Sequence, residues 1–171
     1  MIFDWGGVLM RTADYRPRLA WDERLGVPPG TVESVVHGLE EWRQAQLGQM
    51  GVAAYWQAVG KALGLGREEL EALRLDFYSG DRLDASLVSL IRELREQGMQ
   101  VGLLSNYSAD LPDILAGLGL APLFDTVVVS AAIGVMKPAA AAYHAALARL
   151  AVRPEVVLFV DDTAANVEGA A

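Results

Sequence analysis

A chain of 171 residues has room for one main domain with a modest insertion, and with 53% hydrophobic residues and a mean hydropathy of +0.25 it is a globular chain, not a disordered one. The absence of cysteine excludes disulfides and thiolate metal sites and fits a reducing cytoplasm, the expected location. A formal charge of −8 argues against a nucleic-acid partner, and no apolar run is long enough to span a bilayer, so no membrane association is expected.

Met1-Ile2-Phe3 is an apolar run that delivers a carboxylate at Asp4, followed at once by Trp5-Gly6-Gly7. Such a run ended by a turn signal reads as a buried, parallel strand. Asp4 then stands at the strand's carboxyl end, the edge where open α/β sheets place ligands, although an Asp that merely opens a loop has the same appearance. Gly6 and Gly7 allow a sharp turn and close approach to a ligand.

From Met10 to about Gly80 the spacing is helical. Arg16 to Leu25, Thr31 to Leu47, Val52 to Leu63 and Arg67 to Tyr78 carry apolar residues at helical intervals, punctuated by Gly26, Pro28, Pro29, Gly48, Gly51, Gly64 and Gly66. No β-type alternation is visible there, so a helical insertion of about four helices is expected. Trp21, Trp42 and Trp56 read as its core more readily than as a substrate box. Trp5 fits either a border of the substrate site or packing beneath the insertion, and His37 and His144 lack a partner at useful spacing.

Composition then shifts. Leu87, Leu90, Ile91 and Leu94 share a helix face, ended by Gly98. Met99 to Leu104 reads as a strand ending in Ser105-Asn106, Leu111 to Leu118 as a helix, and Thr126 to Val129 as a strand closed by Ser130. Ala139 to Leu150 reads as a helix, and Val156 to Val160 as a strand ending in Asp161-Asp162. Strand and helix in alternation imply a parallel sheet covered on both faces. The expected fold is therefore a three-layer, Rossmann-like α/β core over residues 1–10 and 82–171, with a helical cap at 11–81. Both ends read as clipped, since only three residues precede Asp4 and the chain stops inside the last helix.

Four strands thus end in polar groups, which one sheet edge can bring together: Asp4, Ser105-Asn106, Ser130 with Lys137 beyond it, and Asp161-Asp162. Each has a plain alternative: Ser105 and the paired aspartates can cap helices, and Lys137 can be a surface lysine; Asn166, four residues after Asp162, fits equally the orienting of a metal ligand or loop and the decoration of a helix. Taken in order, Phe3-Asp4-Trp5-Gly6-Gly7-Val8-Leu9, Leu103-Leu104-Ser105-Asn106, Gly134-Val135-Met136-Lys137-Pro138 and Phe159-Val160-Asp161-Asp162-Thr163 resemble the four motifs of the haloacid dehalogenase superfamily, in its helical-cap, phosphatase-like branch.

The resemblance implies a Mg²⁺-dependent hydrolase of a small phosphorylated metabolite, acting through a phospho-aspartyl intermediate. Asp4 would be the nucleophile. Ser105 and the backbone N–H of Asn106 would hold the phosphoryl group, and Lys137 would neutralise charge. Asp4, the Gly6 carbonyl and Asp162 would hold Mg²⁺ directly, with Asp161 acting through water. Two departures stand out: Gly6 occupies the place of a common acid/base Asp, and Ala139 that of a carboxylate. With Gly6 there, Asp14 or a cap residue is the next candidate to supply a proton. The alternatives are a metal-free 2-haloacid dehalogenase and a regulatory protein that binds metal and phosphate without turnover. Monomer and homodimer both remain open.

Overall fold

The computed structural model describes residues 1–171. In chain order, strand β1 (Ile2–Phe3) and β2 (Met10–Thr12) lead into helices α1 (Arg16–Leu25), α2 (Thr31–Gly38), α3 (Glu40–Gln46), α4 (Val52–Leu63) and α5 (Arg67–Phe77). Then follow β3 (Asp81–Leu83), α6 (Ala85–Glu96), β4 (Gly102–Ser105), α7 (Leu111–Gly117), β5 (Thr126–Val129), α8 (Ser130–Ile133), α9 (Ala140–Leu150), β6 (Phe159–Val160) and α10 (Ala164–Ala170). No helix is long and apolar enough to cross a membrane.

The sheet is parallel, in the order β5-β4-β1-β6. Strand side chains alternate between faces, and this period sorts each neighbouring apolar pair into two different cores. Phe3, Leu103 and Val129 pack with Val88 and Ile91 of α6 and Leu111 and Leu115 of α7. Ile2, Leu104 and Val128 turn the other way, onto Ala142, Tyr143, Ala146 and Leu150 of α9. Continuous hydrophobic runs are therefore required, and the three-layer α/β arrangement follows from them.

Helices α1–α5 enclose a core of their own, built on Trp21, Val32, Val36, Tyr55, Trp56, Leu73 and Phe77. Two local expectations fail in this region. Thr31 to Leu47 is not one helix: Leu39 is extended (φ −65°, ψ 144°), ending α2 after Gly38 and starting α3, so there are five helices. Met10–Thr12 and Asp81–Leu83 pair as an antiparallel ribbon at the foot of the helical segment. Strands of three residues are too short to display a period of two, and their partners lie far apart in sequence.

Asp22 of α1 is only 2% exposed and caps α2 from outside it, accepting the N–H groups of Gly30 at 2.7 Å and Val32 at 2.8 Å. Removing it leaves two covered donors without a partner, each costing about 1–3 kcal/mol. Asp22→Ala is expected to lower the unfolding free energy by about 2–3 kcal/mol in urea titration. A loss below about 0.5 kcal/mol would mean that water reaches both donors.

Candidate active site

The ladder that pairs β1 with its neighbour runs on one residue past the strand, since the Asp4 N–H donates to the Val160 carbonyl at 2.9 Å. This holds the Asp4 backbone at the carboxyl edge of the sheet. Its side chain is nearly covered, accepts the Trp5 N–H at 2.7 Å and lies 3.0 Å from the Lys137 ammonium. Burial raises the Asp4 carboxyl above its ordinary range. The Lys137 charge opposes that, Asp161 adds to it, and hydrogen bonds from Lys137 and Ser105 favour the ionised form.

Lys137 also contacts Asp161, and both side chains are fully covered. Burial alone would raise the Asp161 carboxyl, but hydrogen bonds from Lys137, the Thr163 N–H (2.9 Å) and the Asn166 amide (3.1 Å) outweigh it and hold the group low. Asp162 is exposed, its carboxylate in long contact (3.4 Å) with the Thr163 hydroxyl. Oxygens of Asp4, Asp161 and Asp162 come within 4.8 Å of one another. Three carboxylates so close repel unless cations lie among them, and Lys137 supplies one charge. An all-oxygen donor set of this kind suits a hard divalent ion such as Mg²⁺.

The two glycines differ. Gly7 has φ +75°, and a Cβ there would lie 2.0 Å from Asp162 Oδ2, so Gly7 is what lets Asp162 sit against the loop. A Cβ on Gly6 would meet nothing within 4 Å.

Sequence reasoning identified Asn106 for its backbone N–H and missed its side chain. The amide accepts the Lys137 N–H at 2.8 Å and donates to the Lys137 carbonyl at 2.9 Å, fixing the backbone that carries the ammonium, next to a cis Lys137-Pro138 bond. Asn166 orients Asp161, and its own carbonyl accepts the Tyr143 hydroxyl at 2.7 Å. Ser105 is 2% exposed at the end of β4. Ser130 serves instead as a joint, donating to the Gln46 carbonyl (2.6 Å) and accepting the Tyr107 N–H (3.0 Å). Gln46 of α3 donates to the Asn106 carbonyl at 2.8 Å, so the helical segment is tied to the loops that carry the site. For Asn106 and Ser130 the signal was a polar residue at the end of a strand, and for Asn166 its spacing of four from Asp162; Gln46 carried none.

A cavity of about 760 Å³ opens beside the loop, walled by Trp5, Gly6 and Gly7 from the sheet edge and by Trp42, Tyr55 and Trp56 from the helices. Trp21 and Trp56 lie in the helical core, with Trp42 packed against it, as expected; Trp42 and Trp56 also contribute to the cavity wall. Trp5 packs in the core on one face of the sheet and also lines the cavity. His37 also lines it. Asp14 does not; it is bound to Arg16 by a bidentate contact whose hydrogen bonds lower its carboxyl to about 2.

A parallel three-layer core with an acidic, lysine-bridged strand edge under a helical layer defines a class of α/β hydrolases. The haloacid dehalogenase-like hydrolase family model matches residues 1–171, and the chain belongs to that family. It is 28% identical over 168 residues to a sesquiterpene phosphatase of Aspergillus oryzae, covering 97% of this chain and 81% of that one. A Mycobacterium tuberculosis phosphatase is 32% identical over 122 residues, 70% of this chain and 56% of its own. The mouse haloacid dehalogenase-like hydrolase domain-containing protein 3 is 38% identical over 73 residues, 43% of this chain and only 29% of the mouse protein's length. Among solved structures, a Bacteroides thetaiotaomicron enzyme of the family superposes with a TM-score of 0.78 at 19% identity, covering 99% and 86% of the two chains. The L-2-haloacid dehalogenase of Xanthobacter autotrophicus gives 0.67 at 25% identity, covering 99% and 71%.

Proposed function

We propose that this protein is a Mg²⁺-dependent hydrolase of small phosphomonoesters that works through a phospho-aspartyl intermediate. The observation that carries this reading is the meeting of the Asp4, Asp161 and Asp162 oxygens within 4.8 Å, with a covered lysine bridging Asp4 and Asp161. Two relatives named as phosphatases support it. A dehalogenase expels an anion from carbon and gains nothing from two further carboxylates beside its nucleophile, so the acidic edge favours phosphoryl chemistry.

Asp4, Asp162 and the Gly6 carbonyl would hold the ion, with Asp161 acting through water. When bound, Mg²⁺ neutralises charge on the phosphoryl oxygens and on the carboxylates. An Asp4 oxygen attacks phosphorus and the bond from phosphorus to the alcohol oxygen breaks. That oxygen takes its proton from water, since Gly6 has none to give. The Ser105 hydroxyl and the Asn106 N–H donate to the transferring oxygens, and Lys137 offsets their charge. Water then attacks the phosphorus of the aspartyl-phosphate, releasing inorganic phosphate and restoring Asp4. The test is phosphate release from a panel of phosphomonoesters with and without Mg²⁺. Chloride release from a 2-haloacid without metal would establish the dehalogenase instead.

The carboxylates separate further. Asp161 has both oxygens engaged by Lys137, Thr163 and Asn166, whereas Asp162 keeps lone pairs free. Asp162→Asn is therefore expected to raise the Mg²⁺ concentration for half-maximal activity more than Asp161→Asn does. Removing an indirect partner typically costs about 10–100-fold, and the direct ligand should exceed it. An equal or reversed order, read from Mg²⁺ titrations of both variants, would mean that Asp161 is the inner ligand.

A further inference from the structure

We propose that the cavity beside the catalytic loop selects phosphomonoesters whose alcohol part is large, uncharged and apolar, of aryl or isoprenoid type; this rests on the phosphomonoesterase reading above. Its volume of about 760 Å³ is far more than a phosphoryl group needs and lies within the usual range for pockets that take small organic molecules. Trp5, Trp42, Tyr55, Trp56, Tyr78 and Tyr107 all contribute to the wall. Trp42 stands edge-on to Tyr107 with ring centres 5.6 Å apart, so a ring from the helical segment meets one from the loop that follows Ser105 and Asn106. Aromatic surface of this kind offers stacking and apolar burial at little entropic cost.

Charge on the wall points the same way. Its three arginines are all paired: Arg18 with Glu33 at 2.7 Å and Asp81 at 2.8 Å, Arg74 with Glu71 at 3.4 Å, and Arg11 with Asp84 at 3.6 Å. No lysine lines the cavity. A second phosphate or a carboxylate on the alcohol part would meet arginines already neutralised by Glu33, Asp81, Glu71 and Asp84, and would have to compete with those carboxylates for them. Asp110, which accepts the Ser108 hydroxyl at 2.6 Å, adds a further negative group.

Phenyl and 2-naphthyl phosphate separate apolar size from leaving-group strength, because their phenols have similar acidity. With Mg²⁺, the naphthyl ester is expected to show kcat/KM about 10–100-fold higher, from the burial of one more ring. Trp42→Ala should shrink that ratio severalfold, with Trp42→Phe retaining most of it as a check that the cavity is intact. Calorimetry with 2-naphthol reads the cavity without turnover and should show saturable binding that Trp42→Ala weakens. Naphthyl and phenyl esters within about twofold of each other, or a faster reaction with glucose 6-phosphate than with geranyl phosphate, would overturn the proposal while leaving phosphatase activity intact. Saturable binding of 2-naphthol with no phosphate released from any ester would uphold the apolar cavity and sink the phosphatase reading. The absence of both 2-naphthol binding and a size preference would end the proposal outright.

Discussion

Asp4→Asn is expected to reduce phosphate release by about 10³-fold or more, equivalent to about 4 kcal/mol of barrier. The amide is nearly isosteric, so folding should survive; circular dichroism and thermal unfolding close to wild type would establish that. On the proposed mechanism, what is lost is the attacking oxygen and one of the three clustered carboxylates that would hold Mg²⁺. The Lys137 ammonium, 3.0 Å away, would keep Asp161 as its partner. No phosphorylated protein should accumulate when the variant is mixed with substrate and quenched in acid. Turnover above about a tenth of wild type, a change of only about 1.4 kcal/mol, would remove Asp4 from the nucleophile's role.

A steep dependence of kcat/KM on leaving-group acidity is the second large effect expected. Without a carboxylate at Gly6 the departing oxygen leaves as an anion or is protonated by water, and general acid catalysis is commonly worth about 10²–10⁴-fold. Aryl phosphates should lose little and simple alkyl phosphates a great deal. Gly6→Asp should then accelerate the alkyl esters most and flatten the dependence. The structure makes this substitution a fair test, since a Cβ at Gly6 meets no heavy atom within 4 Å and its φ lies outside the left-handed region. The same change at Gly7 would collide with Asp162. Single-turnover measurements on a graded series of esters would keep hydrolysis of the aspartyl-phosphate from masking the first step. A shallow slope in the wild type would show that another group supplies the proton. The search would then turn to acids on the cavity wall, since Asp14 lies off that wall and is tied to Arg16.

Much of the architecture was legible without coordinates because it rests on short-range rules. Ile2-Phe3, Leu103-Leu104 and Val128-Val129 are continuous apolar pairs, and only a strand covered on both faces buries both members. Strand ends carrying Asp4, Ser105 and Asp161-Asp162 had to share an edge once the sheet was parallel, and the structure brings them together with Lys137.

What stayed hidden depends on partners distant in sequence. The ribbon of Met10–Thr12 with Asp81–Leu83 has no local signature, because three residues show no period and the pairing is decided by chain return. The break at Leu39 falls directly after Gly38, a weak helix former, and α2 and α3 both pack on the core that holds Tyr55 and Trp56. Which aspartate is tied up and which is free is set by Asn166, Thr163 and Lys137 in three dimensions; side by side in sequence, Asp161 and Asp162 are indistinguishable. The Asn106 clamp on Lys137 and the pairing of every arginine on the cavity wall are likewise contacts between separate elements. Residue types and periodicity determined the layers and the chemistry available at the sheet edge. Tertiary packing alone decided which groups are neutralised, which are free to bind, and what shape and polarity surround them, because hydrogen bonding and burial are properties of neighbours in space.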